Sequence, residues 1–164
     1  MTLALIGTGA ISGYVRQALA ARGLPAAALV VRETPAPGHP QMPPQVTRVA
    51  DLPAKCSLLV DCAGHAGLRA HGPAALRRGI DLVTVSIGAL ADPDLAGELE
   101  AAARAGGARL HLASGAIGAL DALGAARIGG FDRVLYRGRK PPAGWRGSPA
   151  EEILDLSAPL GVPV

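Results

Sequence analysis

The sequence predicts an α/β fold: a doubly wound parallel sheet followed by a partial second α/β region. Three observations carry this expectation. From Thr2 to Leu112, short and nearly continuous apolar runs alternate with amphipathic helical stretches, the pattern of strands buried on both faces beneath helices. A glycine-rich turn, GTGAISG (7–13), joins the first apolar run to the first helical stretch. After Ala113 the pattern gives way to small residues, one alternating stretch and prolines. The domains expected are therefore 1–113 and 114–164. The second reads as incomplete, because a single strand and two helices do not cover a sheet of their own.

Thr2–Ile6 (TLALI) reads as the first strand. Ser12–Arg22 follows as a helix, with Val15, Ala18 and Leu19 on one face and Gly23 as its stop. Ala28–Val31 is the second strand. Thr34–Pro44 holds five prolines and is a loop. Gln45–Val49 suits a short strand, and Ser57–Cys62 (SLLVDC) a central one. Leu68–Arg78 is helical up to Gly79, and Asp81–Ser86 (DLVTVS) is again a strand. Asp92-Pro93 is a strong helix start: a side-chain acceptor, then a proline whose missing N–H costs nothing in the first turn. That helix runs to about Ala105 and ends at Gly106-Gly107, before a strand at Arg109–Leu112. Beyond it, SGAIGALDALGAARIGG (114–130) reads as a small-residue helix, and Arg133–Arg139 (RVLYRGR) as an alternating strand closed by Lys140-Pro141-Pro142. Ser148-Pro149-Ala150-Glu151 has the form of a capping box and opens a short helix limited by Pro159.

Composition narrows the function. Apolar residues make up 49% of the 164, enough to bury a core. Aromatic residues are only 2%, namely Tyr14, Phe131, Tyr136 and Trp145, and the formal charge is a mild +3. Four scattered rings make a poor base-stacking surface, so no nucleic-acid partner is expected. The late basic residues Arg133, Arg137, Arg139, Lys140 and Arg146 form either a solvated face or an attractor for an acidic small molecule. Cys56 and Cys62 make no disulfide framework and lack zinc-ligand partners, and His65 and His71 lack the i,i+4 spacing of a helical metal pair, so no metal is expected. No basic segment precedes the first apolar run and no run approaches membrane-spanning length, which points to a cytoplasmic protein without a membrane partner.

The glycine turn points to a nucleotide. In a G-x-G-x-x-G dinucleotide turn, the first glycine permits the tight bend, and the second lets a diphosphate approach N–H groups at the helix start. The third lets helix and strand pack closely. Here Gly7 and Gly9 fill the first two roles, the N–H groups of Ala10 and Ile11 follow, and Ser12 stands at the third with only a slight packing compromise. An ordinary glycine turn is the alternative; the strand–turn–helix context favours a Rossmann-type cofactor site. At the end of the second strand, Arg32 suits a ribose 2′-phosphate and Glu33 the ribose hydroxyls, so the cofactor is NAD or NADP. The ends of later strands, Cys62-Ala63-Gly64 and Ser86-Ile87-Gly88, offer small residues beside the ribose and nicotinamide, and His65 is either a donor there or a plain loop histidine.

SIGALAD (86–92), SGAIGALDAL (114–123) and RKPP (139–142), together with GTGAISG and VDCAGHAG (60–67), resemble L-aspartate dehydrogenase of the NAD-biosynthesis type. SGAIGALDAL is the most specific of these pieces. The resemblance implies oxidation of L-aspartate to iminoaspartate with NAD or NADP. Iminoaspartate then feeds quinolinate and NAD synthesis, or hydrolyses to oxaloacetate and ammonia. It also implies a Rossmann domain followed by a mixed α/β domain carrying substrate residues and the contact of a homodimer. The backbone N–H of Ala116, at a helix start, is implied as a cofactor contact. On the residues alone, Arg137, Arg139 and Lys140 either clamp the substrate carboxylates or form an exposed basic edge. The family's members continue well past this chain's length, and its catalytic histidine lies in that continuation. None of His39, His65, His71 and His111 stands at the matching place, so the catalytic residue is left unassigned. Two other functions compete: a non-catalytic NAD(P)-binding module, and a Rossmann enzyme related to homoserine dehydrogenase or dihydrodipicolinate reductase.

Overall fold

The structure is a computed structural model that describes residues 1–33, 42–114, 120–135, 141–146, 150–153, 155 and 157. Its strands are β1 (Thr2–Ile6), β2 (Ala28–Val30), β3 (Gln45–Val46), β4 (Cys56–Asp61), β5 (Asp81–Thr84) and β6 (Leu110–Leu112). They form one sheet in the order β3-β2-β1-β4-β5-β6, with all five pairings parallel. From β1 the chain runs outward to β3, returns to the other side of β1 as β4, and runs outward again. This reversal is the topological switch point of a doubly wound sheet, where such folds bind ligands.

Alternation along the strands sorts the core into two layers. Leu3 and Leu5 of β1 and Leu29 of β2 point to one face, where they meet Val15 and Leu19 of α1 (Ala10–Ala20). Ala4, Ile6, Val30, Leu59 and Leu82 point to the other. There they meet Leu68 and Leu76 of α2 (Gly64–Arg77) and Leu95 and Leu99 of α3 (Pro93–Gly106). Each leucine taken fully from water contributes about 2 kcal/mol, so the two layers hold the helices to the sheet. Leu58, Val60 and Val83, on the α1 side of β4 and β5, remain half-buried.

The boundaries differ from expectation in instructive places. The first helix begins at Ala10 rather than Ser12, with Gly9 as its N-cap. The second begins at Gly64 rather than Leu68, because its first turn carries only small residues and a histidine that leave no apolar periodicity to read. β5 stops at Thr84 instead of Ser86, and Ile87–Ala91 form a 3-10 turn. Gln45–Val49 divides into the two-residue β3 and a 3-10 turn at Val49–Asp51. The Arg78 guanidinium fixes that turn by donating to the carbonyls of Val49, Ala50, Leu52 and Pro53. The helix opening at Asp92-Pro93 is as expected: Asp92 accepts from the N–H groups of Asp94 and Leu95, and Gly107 closes it in the left-handed region at φ 64.

By its contacts the chain divides into two compact units, Met1–Leu120 and Asp121–Val164. In the later part α4 (Leu120–Ala126) leads into a 3-10 turn at Arg127–Gly129, and α5 (Ala150–Ile153) follows a second such turn at Pro142–Trp145. The small-residue helix expected over 114–130 is helical at Leu120–Ala126, and 115–119 lie outside the described residues. Arg133, Val134 and Leu135, the described start of the expected strand Arg133–Arg139, are not in a strand; the rest of it lies outside the described residues. No helix among the described residues is long and apolar enough to cross a membrane.

Candidate functional site

A cleft of about 610 Å³ opens at the carboxyl ends of β1, β2 and β4, over the switch point. Gly7, Thr8 and Gly9 form its floor. Gly7 leaves β1 with φ +94, and a Cβ on it would lie 3.1 Å from the Ala63 Cβ. A side chain there would press on Ala63 at the end of β4, and the bend's conformation is one that L-residues avoid. Gly9 is different. Its φ is −69, and a Cβ there would meet nothing within 4 Å. What this glycine preserves is open space above the start of α1.

That helix start is bare. Gly9 supplies no side-chain cap and the first turn holds no acidic residue. The first N–H groups of a helix, those of Ala10 and Ile11 here, have no acceptor within the helix and carry the positive end of its dipole. An eleven-residue helix ending so at the rim of a cleft has the donor set that a diphosphate needs. Ser12, at the third glycine position, is 2% exposed, and its Oγ donates to the Gly7 carbonyl at 2.7 Å. The residue that looked like a slight packing compromise ties the helix back to the bend.

At the far end of the cleft Val31, Arg32 and Glu33 leave β2 beside Gln45. Arg32 and Glu33 are exposed, and Arg32 makes no ion pair among the described residues. The remaining wall comes from the end of β4 and one face of α2: Cys62 and Ala63, then Ala66, Gly67, Ala70 and His71. Burial pushes the Cys62 thiol up to about 11, with the charge of Asp61 adding to it. Burial also lowers the pKa of His71, against a smaller opposing pull from Asp61.

Gly7, Gly9, Arg32, Cys62 and Ala63 thus come together on one cleft. Ala10 and Ile11 reach it only through the helix start that they form. Gly64, with φ +74, turns the chain into α2 without lining the cleft. Gly88 makes room for His65, whose Nε2 would lie 3.0 Å from a Cβ at that position. Ser86 is buried and turned inward to Asp61. Ala116, Arg137, Arg139 and Lys140 lie outside the described residues. The α2 wall was missed, although Ala66, Gly67, Ala70 and His71 do recur at helical spacing. Also missed was Asp61, which is 0% exposed and accepts from the Ala63 N–H and the Thr84 and Ser86 hydroxyls. Among the described residues no group of three or more His, Cys, Asp or Glu could hold a metal.

Residues 6–113 match the family model described as homoserine dehydrogenase, NAD binding domain. The chain belongs to this family. Within this NAD-binding family it is similar to the L-aspartate dehydrogenase of Ruegeria pomeroyi, 52% identical over 97% of this chain and 58% of that protein. It is also similar to the L-aspartate dehydrogenase of Ralstonia nicotianae, 56% identical over 70% of this chain and 44% of that protein. The likeness expected from SIGALAD and SGAIGALDAL is thereby borne out, and the chain spans about half the length of the relatives it matches. Two solved structures share the fold. One is the aspartate dehydrogenase of Thermotoga maritima, with TM-score 0.58 and 23% identity over 76% of this chain and 50% of that one. The other is an engineered D-amino acid dehydrogenase bound to NADP+, with TM-score 0.55 and 16% identity over 78% of this chain and 41% of that one.

Proposed function

We propose that this NAD-binding domain serves NAD(P)-dependent L-aspartate dehydrogenation, yielding iminoaspartate for NAD biosynthesis in the cytoplasm. The observation that carries the reading is the bare start of α1 beside Gly9, open to a cleft over the switch point. On this reading the N–H groups of Ala10 and Ile11 hold the diphosphate, Gly7 shapes the bend beneath it, and Ala63 shapes the wall toward the nicotinamide ribose. Arg32 meets a 2′-phosphate, Glu33 the ribose hydroxyls, and the small residues of α2 leave room for the rest. A bound nicotinamide supplies the hydride acceptor for the α-C–H of L-aspartate. Residues 1–113 form the nucleotide-binding part and 114–164 begin the part that holds substrate. There Ala116 offers a further N–H, and Arg137, Arg139 and Lys140 clamp the two carboxylates. The relatives at 52% and 56% identity, both L-aspartate dehydrogenases, support this choice of substrate.

The match of residues 6–113 to an NAD binding domain favours a second reading, a module that binds NAD(P) without turning over aspartate. One experiment separates the two. NADPH and NADH are titrated into the purified chain by fluorescence, and the same sample is then assayed for L-aspartate-dependent reduction of NADP+ and NAD+. Binding with turnover supports the dehydrogenase, binding without turnover supports the module, and no binding removes both. In the same titration Arg32→Ala should weaken NADPH by about tenfold or more, the worth of a charge-assisted bond, and leave NADH nearly unchanged. Equal loss for both nucleotides would remove Arg32 from the phosphate role.

A further inference from the structure

A carboxylate with no exposed surface lies at the carboxyl end of β4, directly before two residues of the cleft wall. Asp61 Oδ1 accepts from the Ala63 N–H at 3.0 Å, and Oδ2 accepts from the Thr84 hydroxyl at 2.7 Å and the Ser86 hydroxyl at 2.6 Å. The Ser86 N–H in turn donates to Thr84 Oγ1 at 2.9 Å. No buried polar side-chain atom among the described residues lacks a partner, so this network is complete.

The strands do not need it for pairing, since β4 and β5 are already in register through Asp61 and Thr84. Burying a carboxylate is costly, and the three donors that it satisfies offset that cost only because they converge on it. What the carboxylate adds is reach in two directions. Through Oδ1 it fixes Ala63, the residue against which the Gly7 bend packs and which lines the cleft. Through Oδ2 it draws in Ser86, so that the chain leaves β5 in a 3-10 turn instead of running on as strand. Gly67 of α2 lies over the same group: a Cβ there would sit 3.6 Å from Oδ1 and 2.4 Å from the Ala63 Cβ.

We propose that Asp61 is a positioning residue for the dinucleotide: it locks the exits of β4 and β5 together, so that the wall on that side of the switch point is formed before the nucleotide arrives. This rests on the nucleotide reading above. A preformed wall spares the ordering cost of binding, and a loosened one returns that cost as lost affinity. The effect falls on the half of the dinucleotide beyond the diphosphate, away from Arg32.

The test uses the whole chain with Asp61→Asn, which turns charge-assisted bonds into neutral ones, and the milder Ser86→Ala, which removes one hydroxyl. NADPH and 2′,5′-ADP, which lacks the nicotinamide half, are titrated into each protein well below its melting temperature, with melting followed separately. The expected result is an NADPH dissociation constant about tenfold higher in Asp61→Asn and about threefold higher in Ser86→Ala, with 2′,5′-ADP binding unchanged. Should Asp61→Asn fail to fold, Ser86→Ala decides. Folded variants that hold NADPH as tightly as the wild type, or that lose both ligands equally, overturn the proposal and leave a purely structural network. A wild-type chain that binds neither ligand overturns the nucleotide reading itself, and this proposal falls with it.

Discussion

Gly7 and Gly9 look alike in the sequence and do opposite work. Gly7 sits at φ +94 against Ala63, so Gly7→Ala should cost about 1–3 kcal/mol in backbone strain, read as a lower urea midpoint. Gly9 has an ordinary backbone and empty surroundings. Gly9→Ala should cost at most about 1 kcal/mol of capping, yet weaken NADPH binding by more than about tenfold, because the new methyl fills the space over the helix start. Equal effects of the two changes on stability would contradict this division. Both glycines were legible, since a residue without a side chain declares its purpose by its type and place. Ser12 was legible only as small; its bond to the Gly7 carbonyl depends on a rotamer. Asp61 was not legible at all, because its partners Thr84 and Ser86 lie 23 and 25 residues away, and only the folded sheet brings them to it.

Among the helices, α3 was the most legible and α2 the least. Asp92-Pro93 and Gly106-Gly107 mark the ends of α3 with local chemistry, whereas the first turn of α2 is written in residues that suit a loop equally well. One feature of α3 exceeds what its ends show. Gly106 was read as a stop, but it is the last helical residue, and a Cβ on it would lie 1.9 Å from the Leu76 carbonyl of α2. Gly106→Ala should therefore cost about 3 kcal/mol through overpacking, while Gly97→Ala on the same helix, with nothing within 4 Å, should be neutral or stabilising in thermal melts. The Arg69 guanidinium, and after it the N–H groups of Leu95 and Asp94, hold the Asp92 carboxyl below the usual carboxylate range. A depressed folded pKa contributes stability that is present above the unfolded value, about 4, and lost as pH falls through the folded one. Asp92→Asn should accordingly melt below wild type at neutral pH and converge with it in acid. A gap that stays constant across that range would deny the carboxylate its part.

At the scale of the whole molecule, the parallel sheet and its helices were legible from the alternation of apolar runs. The strand order was not, because which side of β1 receives β4 depends on how the crossovers pack. In the second unit, the strand expected at Arg133–Arg139 rested on alternation alone, with no neighbouring strand in the sequence to pair it. Ile128, Phe131, Val134 and Leu135 of that unit are all exposed, and apolar surface of this kind marks association. Light scattering should give twice the 16.4 kDa of one chain; a monomer at the concentrations of the binding assays would count against the homodimer that the family resemblance implies.

The central position of β1 also has a consequence for synthesis. Its partners β2 and β4 both follow it in the chain, and the second of them closes only at Asp61. As the polypeptide leaves the ribosome, β1 emerges before both of its partners; β2 is complete at Val30, and the other edge of β1 waits unpaired until Asp61, 55 residues after Ile6, roughly 3–11 seconds at ordinary elongation rates of about 5–20 residues per second. During that interval TLALI keeps a naked sticky edge, so yield in cells should depend on translation speed and chaperone supply more than on the stability of the finished domain.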